Sequence, residues 1–175
     1  MIIGSIPENK DLEKRISLVP DIIKKYTNLG LEVNIVKGYG DHLGFNDNTF
    51  KNAGAKILLS KEEVIKNSNI LIQLDMINEN DFSILSKDKI LIGSMNYSKN
   101  KDKIEKLKSN GVNIFSLELL PRITRAQSMD ILSSQANLAG YKAVIEAFAF
   151  FEKAIPMMMT AAGTVPAAKV LVVGA

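Results

Sequence analysis

The stretch that decides the fold class is residues 69–117, NILIQLDMINENDFSILSKDKILIGSMNYSKNKDKIEKLKSNGVNIFSL. It contains three short apolar runs that are rich in Ile and Leu and have the length of strands, namely 69–74, 89–93 and 112–117. Amphipathic stretches over 78–85 and 98–111 separate these runs, and each predicts a helix. Strands that alternate with helices form βαβ units, so the stretch predicts a mostly parallel sheet.

The residues before this stretch repeat the same alternation. Strands are predicted at 1–6, 31–36 and 55–59, and helices at 20–29 and 47–54. Gly30 follows the first helix in the position that favours a left-handed residue. The second helix ends on Gly54, and Ser60 is placed to cap a further helix. We therefore expect an α/β protein with a Rossmann-like (flavodoxin-like) parallel-sheet domain over residues 1–126.

Composition excludes several kinds of site. The chain has no cysteine, which rules out thiolate chemistry and cysteine-ligated metals. The single histidine, His42, lies in a predicted loop, and no carboxylate cluster shows the spacing of metal ligands, so we expect no metal. The net charge of +3 comes from dispersed lysines, which argues against nucleic-acid binding. No apolar run is long enough to predict direct insertion into a membrane.

A dense polar segment follows the last of these strands, between apolar neighbours. The residues Pro121 to Val144 read PRITRAQSMDILSSQANLAGYKAV. We predict one helix from Gln127 to Lys153, on which Gln127, Asp130 and Asn137 share an arc of about 80° with Ser134 and Tyr141. This stripe is rich in amide and hydroxyl groups, whereas solvated helix faces are rich in Lys and Glu. A ligand-facing stripe and polar packing between helices both fit it.

The last stretch of the chain is apolar. Gly140 inside the predicted helix suggests close packing at that point. Residues 127–166 are assigned to the long helix and a connector, and 167–175 to a strand that ends in Gly174. A buried strand followed by glycine is how a dinucleotide-binding βαβ unit begins. From the residues alone, Lys169–Ala175 either adds to the preceding sheet or begins a second domain that is cut short at Ala175.

Two regions of the sequence resemble one family. PRITRAQSMDILSSQANLAGYKAVIEA and AIPMMMTAAGTVPAAKVLVVGA are similar to the NAD-binding alpha subunit of proton-translocating NAD(P) transhydrogenase. The segment KRISLVPDIIKKYTNLGLEVNIVKGYGDHLGFNDNTFKNAGAKI is similar to the opening that transhydrogenase alpha subunits share with alanine dehydrogenase. The resemblance covers essentially the whole chain, and it implies that 167–175 is the first strand of an NAD-binding domain that is cut short at Ala175.

The resemblance implies a role for the polar segment. In that family a loop of the first domain reaches the nicotinamide end of NAD(H), which lies on a second Rossmann domain. Carried over, the nicotinamide-side residues are Arg122, Gln127, Asp130 and Ser133; Ile123, Thr124 and Gly174 complete the expected cofactor-binding set. The resemblance implies an oxidoreductase that moves hydride between NADH and NADP⁺, with no catalytic residue assigned, because the cofactors carry the chemistry.

The resemblance also implies partners. A partner subunit would bind NADP(H), membrane-embedded subunits would couple hydride transfer to proton passage, and the chain would form a homodimer. It would be cytoplasmic and peripheral to the inner membrane through those partners. We expect the 175-residue chain by itself to be inactive.

Two alternatives remain from the sequence. The chain could be a catalytically inactive N-terminal fragment that serves only as a protein-interaction domain. It could also be an alanine dehydrogenase-like oxidoreductase, since Arg15 resembles the residue that binds the substrate carboxylate in that enzyme. The places that match that family's Lys and His acid/base groups hold Gln73 and Asn96, neither of which exchanges protons near neutral pH. Arg15 is then a structural residue or an inherited remnant.

Overall fold

The computed structural model describes residues 1–173. Its first unit, Met1–Asp130, contains six strands and four helices, and its second unit begins at Ile131. The strands of the first unit are β1 (Ile2–Ser5), β2 (Glu32–Val36), β3 (Ala55–Leu58), β4 (Ile70–Ile72), β5 (Ile90–Gly93) and β6 (Asn113–Ser116). The helices are α1 (Pro20–Asn28), α2 (Asp47–Asn52), α3 (Lys61–Asn67) and α4 (Lys101–Ser109).

The six strands form one sheet in the order β3-β2-β1-β4-β5-β6, and all neighbours are parallel. The predicted α/β fold class is confirmed, and the strand order is that of the Rossmann fold. The order reverses between β1 and β4. In open parallel sheets the crevice at the carboxyl ends of such a strand pair is where ligands usually bind.

Helices pack on both faces of the sheet. One apolar cluster joins Ile3 and Ile35 of the strands to Ile23 of α1 and Phe50 of α2. The other joins strand residues such as Leu71 and Leu91 to α3 and α4. Along β4, Ile70 and Ile72 pack with the first cluster and Leu71 with the second, as the two-residue period of a strand requires. The sheet is therefore buried from both sides.

Local signals in the sequence fix several helix ends. The Ser60 side chain accepts a hydrogen bond from Glu63 N and caps α3, as predicted. Asn46 caps α2 in the same way through Thr49 N. Gly30 follows α1 with φ of 79°, the left-handed conformation that glycine adopts at little cost.

The helix predicted over 78–85 is wrong. Only Glu79–Asp81 forms a helical turn, of the 3₁₀ type. Bonds from Ile84 N to Asp81 O and from Leu85 N to Phe82 O continue the three-residue spacing. Phe82 and Leu85 are both buried and lie three residues apart. Successive 3₁₀ turns place both side chains in the core, and the stretch is too short for a stable α-helix.

The second unit contains α5 (Ile131–Phe150) and a hairpin of β7 (Met158–Thr160) and β8 (Gly163–Val165). The helix predicted over 127–153 is therefore wrong at both ends. It starts later because Thr124–Met129 is a 3₁₀ helix, and Asp130 has extended backbone angles of −75° and 93°. The close packing expected at Gly140 is also wrong within the described residues, since nothing lies within 4 Å of a Cβ placed there.

The C-terminal run shows no regular structure over the residues described. Ala167–Val173 carries no strand, although Ala168 N donates to Ile155 O. Gly174 and Ala175 lie outside the described residues. The assignment of 127–166 to a connector and of 167–175 to the first strand of a further domain stays a prediction. Within residues 1–173, the helices are each too short or too polar to cross a membrane.

Candidate functional site

A cleft of about 520 Å³ opens at the carboxyl ends of β1 and β4, where the strand order reverses. Polar and charged side chains form most of its wall, among them Glu8, Asn9, Gln73, Asp75, Asp81 and Lys103. This edge of the sheet is where the fold usually places a ligand.

Gln73 closes the floor of this cleft. Its Oε1 accepts from Ile6 N at 2.9 Å and from Ser5 Oγ at 3.1 Å. Its Nε2 donates to Ile6 O at 3.1 Å and to Glu8 Oε1 at 3.2 Å. The side chain is 3% exposed, so both donors and both acceptor positions of the amide are used within the protein. Gln73 is therefore a structural bridge between β1 and β4.

A second buried network holds the loop between β1 and α1. The Tyr39 hydroxyl lies 2.8 Å from Ser5 Oγ and 3.1 Å from Ser17 Oγ. It also accepts from Ser17 N at 3.1 Å and from Leu18 N at 3.2 Å. Tyr39 is 1% exposed, so these bonds replace the water that its hydroxyl loses on burial. The loop is fixed over the carboxyl ends of the central strands.

Charged groups at the cleft are mostly paired. Lys61 Nζ lies 2.7 Å from Asp81 Oδ1, and Asp81 is buried. Arg15 makes a two-pronged contact with Glu13, with Nε at 2.9 Å from Oε1 and Nη2 at 2.6 Å from Oε2. This pairing is consistent with the prediction that Arg15 is structural.

Glu8 differs from these paired carboxylates because it faces other acids. Burial raises its pKa to about 7, and the neighbouring charges of Asp75 and Glu13 act in the same direction. Hydrogen bonds from Leu74 N, at 2.6 Å, and from Asp75 N oppose the rise without cancelling it. The protein therefore favours the neutral form of Glu8 more than the unfolded chain does.

We expect this shift to make stability depend on pH. The neutral form favoured by folding is fully populated below about pH 4.5, and its contribution is lost as pH rises through about 7. The full shift is worth about 3 kcal/mol, and solvent screening of a partly exposed carboxyl reduces this to ~1.5 kcal/mol. Glu8→Gln should therefore be more stable than the wild type at pH 8 by ~1.5 kcal/mol and nearly equal to it at pH 4.

Urea unfolding of both proteins at the two pH values measures this difference. Glu105→Gln makes the same chemical change on the exposed surface of α4 and should keep the wild-type pH profile. An equal shift of Glu8→Gln at both pH values would contradict the expectation.

The polar segment that the sequence singled out follows β6. Thr124–Met129 forms a 3₁₀ helix whose Ala126 is buried, with 6% of its surface exposed. Ile123 N donates to Pro121 O at 2.9 Å, and Ala126 N donates to Ile123 O at 2.9 Å. Exposed side chains surround the buried Ala126, and they include Arg122, Ile123, Thr124 and Gln127.

The remaining predicted site residues are distributed differently. Asp130 is partly buried and is the last residue of the first unit, whereas Ser133 is exposed on α5 in the second unit. Gly174 lies outside the described residues. The single-helix stripe predicted from Gln127 is wrong, because Gln127 and Asp130 precede α5. The assignment of these residues to a cofactor site stays a prediction.

The turn between β5 and α4 lies beside this segment in the sheet order, because β5 and β6 are neighbours. Glu118, two residues after the end of β6, accepts from Met95 N at 3.1 Å, from Tyr97 N at 3.0 Å and from Ser116 Oγ at 2.8 Å. Burial acts to raise the pKa of Glu118, but these hydrogen bonds and one from its own amide hold it below its usual value. Asn96, between the two donated amides, has φ of 47°.

The family match covers the domain that contains the six-stranded sheet. Residues 4–139 match the family described as "Alanine dehydrogenase/PNT, N-terminal domain". The chain belongs to the alanine dehydrogenase/PNT family. The match includes the Rossmann-type sheet and most of the polar segment, so the resemblance to transhydrogenase and alanine dehydrogenase is confirmed.

Several relatives lie within or near this family. An NAD(P) transhydrogenase subunit alpha protein of Rhodospirillum rubrum is 38% identical over 172 residues, which cover 95% of this chain and 45% of that protein. The crystal structure of transhydrogenase from Sinorhizobium meliloti matches with a TM-score of 0.87 and 38% identity, over 96% of this chain and 50% of that one. Alanine dehydrogenase 1 of Staphylococcus aureus is 25% identical over 145 residues, 83% of this chain and 38% of that protein.

This alanine dehydrogenase/PNT family member spans about half the length of the relatives that it matches. The relatives' names describe oxidoreductases that use nicotinamide nucleotides, and "subunit alpha" describes one component of a complex. Sequence reasoning missed Glu8, Tyr39 and Glu118, whose partners are distant along the chain. The position of Glu8 just after the strand predicted at 1–6 was the one available signal.

Proposed function

We propose that this chain belongs to the NAD(H)-binding subunit of a proton-translocating NAD(P) transhydrogenase. In this role the segment 121–130 forms the nicotinamide-side wall of the cofactor site. The observation that supports it best is the exposed polar segment after β6, in a chain 38% identical to a transhydrogenase alpha subunit. NADP(H) would be held by a partner subunit.

The residues present fit one end of a dinucleotide. Arg122, Thr124 and Gln127 offer guanidinium, hydroxyl and amide groups, which suit a nicotinamide carboxamide and its ribose. The pyrophosphate end fits less well, because a pyrophosphate usually rests on a helix that follows a glycine-rich turn. Within residues 1–173, α1, α3, α4 and α5 follow no such turn. The loop before α2 contains Gly38, Gly40 and Gly44, but α2 is six residues long and the Asn46 side chain already accepts from Thr49 N. The cleft at β1 and β4 instead carries several carboxylates, which repel phosphate. We therefore assign the pyrophosphate to a second domain.

When bound, NADH supplies the hydride, so the protein needs no acid or base at the reacting carbon. The work of this chain is to hold the nicotinamide ring so that its C4 meets C4 of the second cofactor at near-attack distance. The groups on 121–130, Asp130 among them, do this by directional hydrogen bonds. Ser133 of the second unit is assigned to the cofactor site from the resemblance alone.

The same proposal covers assembly. Proton coupling requires membrane-embedded partner subunits, and the chain would lie on the cytoplasmic side, peripheral to the inner membrane. A homodimer is supported by the apolar surface of the second unit, where Leu138, Tyr141 and Phe150 are 58%, 68% and 83% exposed. Exposed apolar surface of this extent is typical of an interface.

We expect the 175-residue chain alone not to bind NADH with useful affinity. The polar segment offers one wall, and charge-assisted bonds from Arg122 are worth about 1.5–3 kcal/mol, too little to offset the ordering of a dinucleotide. Isothermal titration with NADH tests this, alongside a subunit completed with the C-terminal region of the Rhodospirillum rubrum relative. Saturable low-micromolar binding to the chain alone, or no binding to the completed subunit, would contradict the division of the site.

We also expect no alanine dehydrogenase activity from the completed subunit. Gln73 uses all its hydrogen-bonding positions within the protein, and neither Gln73 nor Asn96 exchanges protons near neutral pH. Alanine-dependent reduction of NAD⁺ should stay at the level of a no-enzyme control while NADH-dependent hydride transfer proceeds in the same preparation. Alanine-dependent turnover well above that control would contradict this expectation and favour an alanine dehydrogenase-like oxidoreductase.

A further inference from the structure

Glu118 connects two loops at the same edge of the sheet. It lies in the 3₁₀ turn Leu117–Leu119, directly after β6, and its two carboxylate oxygens accept from the amides on either side of Asn96. The bond to Ser116 Oγ at 2.8 Å fixes the carboxylate against its own strand. Hydrogen bonds to an ionised carboxylate are among the stronger ones in proteins.

The turn that Glu118 holds has a left-handed residue, Asn96, at its centre. Asn96 has φ of 47°, in the left-handed region, which asparagine adopts more readily than most residues and glycine more readily still. Asn100 adds a second brace, with Nδ2 donating to Met95 O at 2.8 Å. The hydrogen bonds that Glu118 and Asn100 make with the residues around Asn96 fix the backbone of this turn. The turn therefore provides a firm anchor for Glu118.

The connection from Glu118 to the polar segment is stiff. Leu120 has φ of −58° and ψ of 133°, the extended region to which a following proline restricts a residue. The ring of Pro121 fixes its own φ, and the bond from Ile123 N to Pro121 O closes the next turn. The far end is anchored by the buried Ala126. Residues 122–125 thus lie between two fixed points, the hydrogen-bonded Glu118 and the buried Ala126.

We propose that Glu118 is the positioning residue of the segment 121–130, which it holds in place by docking the preceding turn, Leu117–Leu119, on the loop between β5 and α4. The consequence for hydride transfer rests on the proposed function. The docking itself does not, because it can be measured in this chain without a cofactor.

Limited trypsin digestion of the chain measures the docking. Cleavage after Arg122 and Arg125 reports the freedom of the segment, and cleavage after Lys24 and Lys25 in α1 of the same unit is the internal reference. Loss of a charge-assisted anchor in Glu118→Ala should raise the ratio of the two cleavage rates by about tenfold or more. Glu118→Gln keeps one acceptor oxygen, so its ratio of cleavage rates should lie between those of the wild type and Glu118→Ala. Glu105→Ala, on exposed α4, should leave the ratio unchanged. A ratio in Glu118→Ala within about twofold of wild type would overturn the proposal.

A second variant tests whether Glu118 positions the segment 121–130 or only stabilises the turn around Asn96. Glycine adopts the left-handed conformation readily, so in Asn96→Gly the turn is stable without the hydrogen bonds to Glu118. The substitution does not replace the bonds by which Glu118 docks the segment. The double variant Asn96→Gly with Glu118→Ala should therefore still be cleaved fast after Arg122 and Arg125. Restored protection in the double variant would overturn the proposal.

The completed subunit gives the functional readout. Glu118→Ala should lower the single-turnover rate of hydride transfer by about tenfold and change the affinity for NADH by less than about twofold, because a misplaced wall costs alignment more than binding. Faster cleavage with an unchanged transfer rate would support the docking by Glu118 and contradict the proposed role of the segment. Equal losses of rate and NADH affinity would count against positioning.

Discussion

Replacing Gln127 by Asn in the completed subunit is expected to slow hydride transfer by about 100-fold while NADH affinity falls by less than about threefold. The shorter side chain keeps the amide and withdraws it by one methylene. Gln127 is exposed on the 3₁₀ helix at the end of the first unit, so the change removes a contact without disturbing the core. Most affinity should come from the adenosine and pyrophosphate contacts of the second domain.

Stopped-flow transfer rates and equilibrium NADH titration separate the two effects. Gln135→Asn makes the same chemical change on α5 and should retain the wild-type rate. Asp130→Asn should behave like Gln127→Asn if both residues orient the nicotinamide. Equal losses in rate and affinity would show that Gln127 contributes to binding in general and not to alignment.

Replacing Gly93 by Ala is expected to destabilise the first unit by about 3 kcal/mol or more. A Cβ at this last residue of β5 would lie 2.3 Å from the backbone oxygen of Gln73, in the neighbouring chain segment, and 2.9 Å from Met95 Cε. The methionine can move, but the carbonyl belongs to the segment that carries Gln73 into its buried network. Relief therefore requires β4 and β5 to separate.

Urea unfolding followed by circular dichroism tests this prediction. Gly140→Ala is the matched control, because a Cβ there meets nothing within 4 Å and alanine favours the helix by about 1 kcal/mol. The control should lose no stability. A Gly93→Ala protein with an unfolding midpoint close to that of the wild type would show that the sheet opens at this point more easily than its geometry indicates.

The strands of the fold were predictable because their signals are local. Short Ile- and Leu-rich runs predicted all six parallel strands to within two residues, and Gly30 and Ser60 marked helix ends. The failures have tertiary causes. Residues 78–85 carry helical periodicity, but burial of Phe82 and Leu85 is achieved by 3₁₀ turns. Burial of Ala126 likewise delays the start of α5 until Ile131.

The candidate site was only partly predictable. Its polar segment was visible as amide and hydroxyl residues between apolar neighbours, and the resemblance supplied their roles. The groups that fix the surrounding loops were not visible. Tyr39 bonds residues 34 and 22 positions away, and Glu118 bonds Met95 and Tyr97 in the loop after the neighbouring strand β5. A single sequence carries no periodic or compositional signal for such pairs, because only folding brings them together.

The central place of β1 in the sheet has a consequence for synthesis on the ribosome. Because the order is β3-β2-β1-β4-β5-β6, each strand that leaves the exit tunnel can pair with one that has already emerged. The sheet first extends from β1 through β2 to β3, and then from the other side of β1 through β4 and β5 to β6. No strand has to stay unpaired until a later strand is synthesised. Domains generally fold as units during translation, with the N-terminal one first. The first 130 residues can thus be folded before the apolar helix α5 has fully emerged.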